Sequence, residues 1–303
     1  DDEAWALGGA LALYASRGAD VRVLCATRGE AGVDHEGGRS GAALGAWRIE
    51  ELRRSCAALG VGEPVVLDLP DGGLAGCDEG RERVRAAMAE LAPDVVLTLG
   101  PDGGYGHHDH QTVTRWVGVG GGGPGTGDLR ASRGGPLVSA GGPLGSPGGP
   151  LGSAGGPLVL HRVFARGQLF PVWQRLRRAG FAGVDAGRQP QDFGDGERDA
   201  VHGDRPGRRG GGGSFAAGGE HRPELRLDVS SVLDRRRAAV GAHRSQRRAE
   251  DPDSFLLPGL LTALGPVERY VVVGGGLRAE VRGLFDAVTG GGTRGTPHVA
   301  SAP

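Results

Sequence analysis

Residues 94–110 read DVVLTLGPDGGYGHHDH. Asp94 to Leu99 is a short apolar run rich in β-branched residues, which predicts a buried strand. Directly after it, Asp102-Gly103-Gly104-Tyr105-Gly106-His107-His108-Asp109-His110 gathers three imidazoles, two carboxylates and a phenol. An apolar strand that delivers a polar loop at its C-terminal end is the unit of an open α/β sheet, where ligands collect at that edge.

The same unit recurs towards the N-terminus. Val21 to Ala26 and Pro64 to Leu69 are predicted strands, and Glu3 to Arg17, Leu44 to Leu59 and Arg81 to Leu91 are predicted helices. Gly18 and Gly60 are the expected helix ends. Thr27 to Ser40 is a polar, glycine-rich loop. This alternation predicts an α/β fold with a parallel, Rossmann-like sheet and flanking helices over residues 1–117.

Downstream the pattern breaks. The chain has 61 glycines and 19 prolines among 303 residues, near the range of roughly 25–30% that marks low-complexity segments. Segments beginning at Gly134, Gly141, Gly148 and Gly155 repeat GGPL at a seven-residue spacing. Two glycines and a proline per unit exclude a coiled coil, so residues 118–157 are expected to be a flexible insert. Residues 158–290 are expected to complete the same domain, with 187–220 flexible and 291–303 a disordered tail. Within that part, Leu160 to Gly183 carries ordered apolar positions, and Leu225 to Val229 is strand-like. Ser231 to Arg247 is helical with Ser230 as its cap, and Tyr270 to Val273 is a last strand.

Charge and cysteine content narrow the function. A formal net charge of −1 disfavours a protein whose affinity rests on neutralising nucleic-acid phosphates. The cysteines Cys25, Cys56 and Cys77 include no CxxC pair, consistent with reduced, packing thiols and a cytoplasmic setting. No apolar run approaches the 18 or so residues that span a bilayer. Glycine-rich runs at 118–124 and 209–213 lack the strand-to-helix context of a dinucleotide site.

Imidazole and carboxylate oxygen are the usual ligands of catalytic zinc, so the 102–110 loop is the first candidate site. Asp1-Asp2-Glu3 is the second. Three carboxylates at a helix start are favoured by the helix dipole alone, but paired with the histidine loop they could complete a divalent-ion site.

Four ordered segments carry a resemblance: DDE at 1–3, Thr27-Arg28-Gly29-Glu30-Ala31-Gly32, Arg48-Ile49-Glu50-Glu51-Leu52 and Gly106-His107-His108-Asp109-His110. They resemble the AHPDDE, T-x-G-E-x-G, R-x-x-E-L and G-H-x-D-H motifs of the PIG-L/LmbE-like N-acetylglucosaminyl deacetylases. Asp228-Val229-Ser230 and Ala242-His243-Arg244-Ser245-Gln246 resemble that family's later signature.

The resemblance implies a zinc-dependent hydrolase that removes an acyl group from an N-acetylglucosamine-type amide. In that reading Asp2 and His110 are zinc ligands, and Asp1 is the general base toward the activated water. Tyr105 and a protonated His107 stabilise the oxyanion, and Asp109 orients a histidine. Arg48 and Asp71 fall where the family contacts sugar hydroxyls. His243 is assigned either to packing or to support of the site. The third zinc ligand, the family's histidine, would stand two places before Asp1, so the resemblance also implies an N-terminal truncation that removes the family's first strand. The expected partner is a small amidated sugar or sugar conjugate, with homo-oligomer formation open. The competing reading is a relative without catalysis, acting as a binding module or not functional.

Overall fold

The computed structural model describes residues 1–117, 157–165, 167–181, 183–184, 224–247 and 250–274. The 118–157 insert, apart from Pro157, and the segments 187–220 and 291–303 lie outside the described residues.

The first predicted helix is two helices, α1 (Asp2–Trp5) and α2 (Gly8–Ser16). In one continuous helix the N–H groups of Gly9 and Ala10 would bond to the carbonyls of Trp5 and Ala6. Here both sets find other partners. Gly9 and Ala10 donate to Glu268 Oε1 and Oε2 at 2.9 and 3.0 Å. The Trp5 carbonyl accepts from Arg236 Nη2 and the Ala6 carbonyl from Arg162 Nε, each at 2.9 Å. Glu268, Arg162 and Arg236 are all buried, so the break is held by charge-assisted bonds in a dry interior. Only glycine fits at position 9, since a Cβ would lie 2.4 Å from Glu268 Oε1.

The next strands are β1 (Leu24–Cys25) and β2 (Val65–Val66), parallel to each other. Bonds from Val65 N to Val23 O, Leu67 N to Cys25 O and Leu69 N to Ala26 O carry the pairing across the predicted span. Between them runs α3 (Gly41–Leu59), closed by Gly60 at φ 77°. Helix α4 (Gly80–Leu91) leads to β3 (Val95–Leu99).

Beyond β3 lie a tight turn of helix, α5 (Gly103–Gly106), and α6 (His108–Trp116). Strand β4 (Leu158–Val163), wholly buried, pairs in parallel with β3. Helix α7 (Phe170–Arg178) follows it. Strands β5 (Glu224–Asp228) and β6 (Val267–Gly274) are antiparallel, giving the order β3-β4-β6-β5. The fold is α/β with flanking helices, and its larger sheet is mixed. The departure from the predicted parallel sheet is β6, which runs antiparallel to both of its neighbours, β4 and β5. Val229 N–H bonds to Pro266 O at the closed end of the β5–β6 pair, and the helices between are an excursion from it.

The helix predicted over Ser231 to Arg247 is regular only at Leu233–Ala242, with 3-10 turns on either side. Ser230 does not cap it. Its hydroxyl donates to Asp228 Oδ1 at 2.5 Å, a local bond that competes with capping.

The three cysteines are free. Burial, followed by the nearby Glu3 carboxylate, pushes both Cys25 and Cys56 up to about 12. Since the thiolate is the nucleophile, both thiols are expected to resist iodoacetamide at pH 8 in the native protein and to react once it is unfolded in urea. Mass spectrometry of the native sample reads this, and rapid native alkylation at Cys25 or Cys56 would contradict the packing. Among the described residues no helix is long and apolar enough to cross a membrane.

Candidate active site

The histidine loop takes its shape from glycine. Gly103, Gly104 and Gly106 have φ of 65°, 74° and 84°, conformations that L side chains rarely adopt. They turn the chain from the end of β3 sharply into α6. His107 is the N-cap of α6, and its Nδ1 accepts from Asp109 N at 3.2 Å. An accepting Nδ1 places the proton of a neutral ring on Nε2.

His110, one turn into α6, bonds through Nδ1 to the carbonyl of Gly103 at 3.1 Å and through Nε2 to Asp2 Oδ2 at 3.0 Å. The other oxygen of Asp2 accepts from Trp5 Nε1 at 2.9 Å. Burial works against both charges, but each outweighs it for the other. Asp2 is held well below the usual carboxylate range, and His110 is raised.

The His107 and His110 rings stack at 4.2 Å between centroids. Tyr105 stands edge-on to them at 6.0 and 5.5 Å. Trp5, packed on Phe164 at 5.7 Å, closes the floor. Burial pushes the Tyr105 phenol well above its ordinary value, so it remains a donor at neutral pH.

Burial and the neighbouring His110 push His107 down to about 3. That direction favours a neutral ring, which with Nδ1 accepting from Asp109 N carries its N–H on Nε2, in contrast to the protonated His107 that the resemblance implies. Asp109 also differs from expectation. Its carboxylate accepts from Gly72 N at 2.7 Å and Leu74 N at 3.1 Å. It thus ties α6 to the loop after β2, while its backbone N–H meets His107 Nδ1.

Arg48 and Asp71 meet around the loop after β1. Arg48 donates to Gly29 O at 2.5 Å and Val33 O at 3.1 Å. Asp71 accepts from Thr27 Oγ1 at 3.1 Å and Ala31 N at 3.0 Å, and its own N–H bonds to Glu30 Oε1. Both residues shape this loop. A Cβ on Gly32 would lie 2.4 Å from Arg48 Nη1. Gly32→Ala is therefore expected to displace the guanidinium and raise KM several-fold with kcat little changed. An unchanged KM would show that Arg48 does not serve the substrate.

Asp1 is the N-cap of α1 without a side-chain cap bond, and its carbonyl accepts from Ala4 and Trp5. Sequence reading missed Trp5, although its i, i+3 spacing from Asp2 on one helical turn is a legible signal.

The donor chemistry of Asp2 and His110 suits zinc. Two zinc ligands at bonds of about 2.0–2.1 Å and a tetrahedral angle stand roughly 3.3 Å apart, close to the 3.0 Å observed here. The Gly103 carbonyl holds the other nitrogen of His110, the usual support of a ligating imidazole. These two residues fit two corners of a zinc site. Among the described residues no cluster of three His, Cys, Asp or Glu side chains is arranged to hold a metal.

Residues 1–118 match the family described as PIG-L: GlcNAc-PI de-N-acetylase. The 1D-myo-inositol 2-acetamido-2-deoxy-alpha-D-glucopyranoside deacetylase of Mycobacterium sp. (strain KMS) is 41% identical over 143 residues, covering 38% of this chain and 45% of that protein. Its namesake from Rhodococcus jostii (strain RHA1) is 40% identical over 137 residues, covering 37% and 47%. The chain spans about half the length of the curated relatives it matches. Among solved structures, an N,N'-diacetylchitobiose deacetylase from Pyrococcus horikoshii is 27% identical over 38% of this chain and 43% of that one, with a TM-score of 0.36.

Proposed function

Residues 1–118 match the PIG-L family, and from that premise we propose that the chain is a zinc-dependent N-deacetylase on a Rossmann-like fold. Its substrate class is a glycoside or sugar conjugate bearing an N-acetylglucosamine group. The observation that carries this reading is the Asp2–His110 pair, 3.0 Å apart beside the Tyr105 and His107 donors. The curated relatives are named as deacetylases of such a sugar.

Asp2 and His110 would hold the ion, with a third donor outside the described residues. Bound zinc would lower the pKa of a water towards neutrality and polarise the amide carbonyl. Asp1 takes the proton from the attacking water and passes it to the leaving nitrogen. The Tyr105 hydroxyl and the His107 Nε2–H donate to the oxygen as charge develops on it. The carbonyl carbon gains the water oxygen and loses its bond to nitrogen, leaving acetate and a free amine. Arg48 and Asp71, fixed on their loop, would meet the sugar hydroxyls.

Elemental analysis and amine release from N-acetylglucosaminyl-inositol and N,N'-diacetylchitobiose test the proposal together. Near-stoichiometric zinc with release of one amine per acetate supports it. A chain that takes up zinc and releases no amine from either sugar would fit a binding module instead. A chain that does neither would fit the non-catalytic relative.

A further inference from the structure

Residues 3 and 243 meet in the interior, where Glu3 is 5% and His243 1% exposed. Glu3 Oε1 accepts from His243 Nε2 and from Ser55 Oγ, each at 2.6 Å. His243 Nδ1 accepts from Gln246 Nε2 at 3.2 Å, which leaves the ring's proton on Nε2, facing the carboxylate.

One turn on, a second buried carboxylate is engaged. Ser245 donates its N–H to Glu51 Oε1 at 2.7 Å and its hydroxyl to Glu51 Oε2 at 2.6 Å. The Ser245 carbonyl accepts from His35 N at 2.7 Å, and Arg244 pairs with Glu36 at 2.6 Å.

The segment 243–246 therefore touches two parts of the site through separate bonds. Glu3 follows Asp2 directly in α1. Glu51 lies one turn after Arg48 on α3, and His35 and Glu36 lie on the loop that Arg48 clamps. Two buried carboxylates are costly to desolvate, and apolar residues would fill the same space at least as well if packing were all that mattered. Directional bonds fix orientation where apolar contacts would allow slippage.

We infer that the His243–Gln246 turn is a positioning element of the active site: His243 orients the Asp2 turn through Glu3, and Ser245 holds the Arg48 loop through Glu51. Neither residue meets substrate. This rests on the zinc-deacetylase reading above for what is being positioned.

The test compares His243→Leu, His243→Gln and Ser245→Ala in the full chain. Zinc affinity is measured by competition with a chromophoric chelator, and backbone amide exchange is followed over residues 4–7 and 29–36. His243→Leu is expected to weaken zinc several-fold, less than the roughly 10- to 100-fold that loss of a ligand's direct outer partner costs, and to speed exchange at Ala4 to Leu7. His243→Gln keeps a donor for Glu3 and is expected to restore most of both. Ser245→Ala is expected to leave zinc affinity within twofold while speeding exchange at His35 and raising KM. Should His243→Leu not fold, His243→Asn, polar but too short to reach Glu3, takes its place. Parental zinc affinity and parental exchange at residues 4–7 in the His243 variants would overturn the inference, as would a His243→Gln no better than His243→Leu. If the parent itself takes up no zinc, the metal reading falls alone, and the exchange comparison still decides the positioning role.

Discussion

Asp2→Ala is expected to abolish zinc retention, whereas Asp1→Ala keeps zinc and loses turnover. Loss of a ligand's outer partner costs roughly 10- to 100-fold in metal affinity, and removing the ligand itself should exceed that. Asp2→Ala also strands His110, whose raised pKa depends on the Asp2 carboxylate, and the indole N–H of the buried Trp5. Asp1 makes no side-chain cap bond, so its truncation should leave the donor pair in place. Removal of a general base typically lowers kcat by about 10²- to 10⁴-fold. Dialysis followed by elemental analysis, with initial rates on the same samples, separates the two variants. Equal zinc content in parent and Asp2→Ala would remove Asp2 from the ligand set.

Glu268→Leu is expected to be the most damaging single change away from the site. The carboxylate accepts from Gly9 N, Ala10 N and the Tyr270 hydroxyl, the last at 2.7 Å, all in the interior. Leucine leaves three buried donors unpaired, at about 1–3 kcal/mol each. It also removes the negative charge that faces the start of α2. A loss of about 3–9 kcal/mol is a large share of the 5–15 kcal/mol typical of a folded domain. Glu268→Gln, which can still accept through one oxygen, should lose less. Urea unfolding at pH 7 measures both, and a Glu268→Leu variant within about 0.5 kcal/mol of the parent would show that the helix start finds other partners.

The sequence made the histidine loop legible because Tyr105, His107, Asp109 and His110 crowd one short stretch behind an apolar strand. Strands β1, β2, β3, β5 and β6 and helices α3 and α4 were legible for a related reason, since period and end residues are local properties, whereas β4 was read only as part of an ordered stretch. What escaped depends on partners far away in the chain. Asp109 looked like a histidine's partner, but its acceptors are engaged by backbone N–H groups 37 and 35 residues upstream. His107 looked protonatable until burial and the stacked His110 ring were known. Glu3 and His243 are 240 positions apart, and no spacing rule connects them. The hydrophobic pattern of residues 3–17 is helical throughout, so nothing local announces that Arg162, Arg236 and Glu268 will divide it.

That division also sets a clock on biosynthesis. At about 5–20 residues per second, the ribosome makes, 259 positions after Gly9, the carboxylate that finishes the first turn of α2. Until β6 arrives, the start of α2 is an open helix end, and the carbonyls of Trp5 and Ala6 wait for guanidinium groups made later. Asp2, one helix earlier on the same segment, waits with them. The start of α2, on the same segment as the candidate site residue Asp2, is thus completed by a carboxylate that lies 259 positions further along the chain.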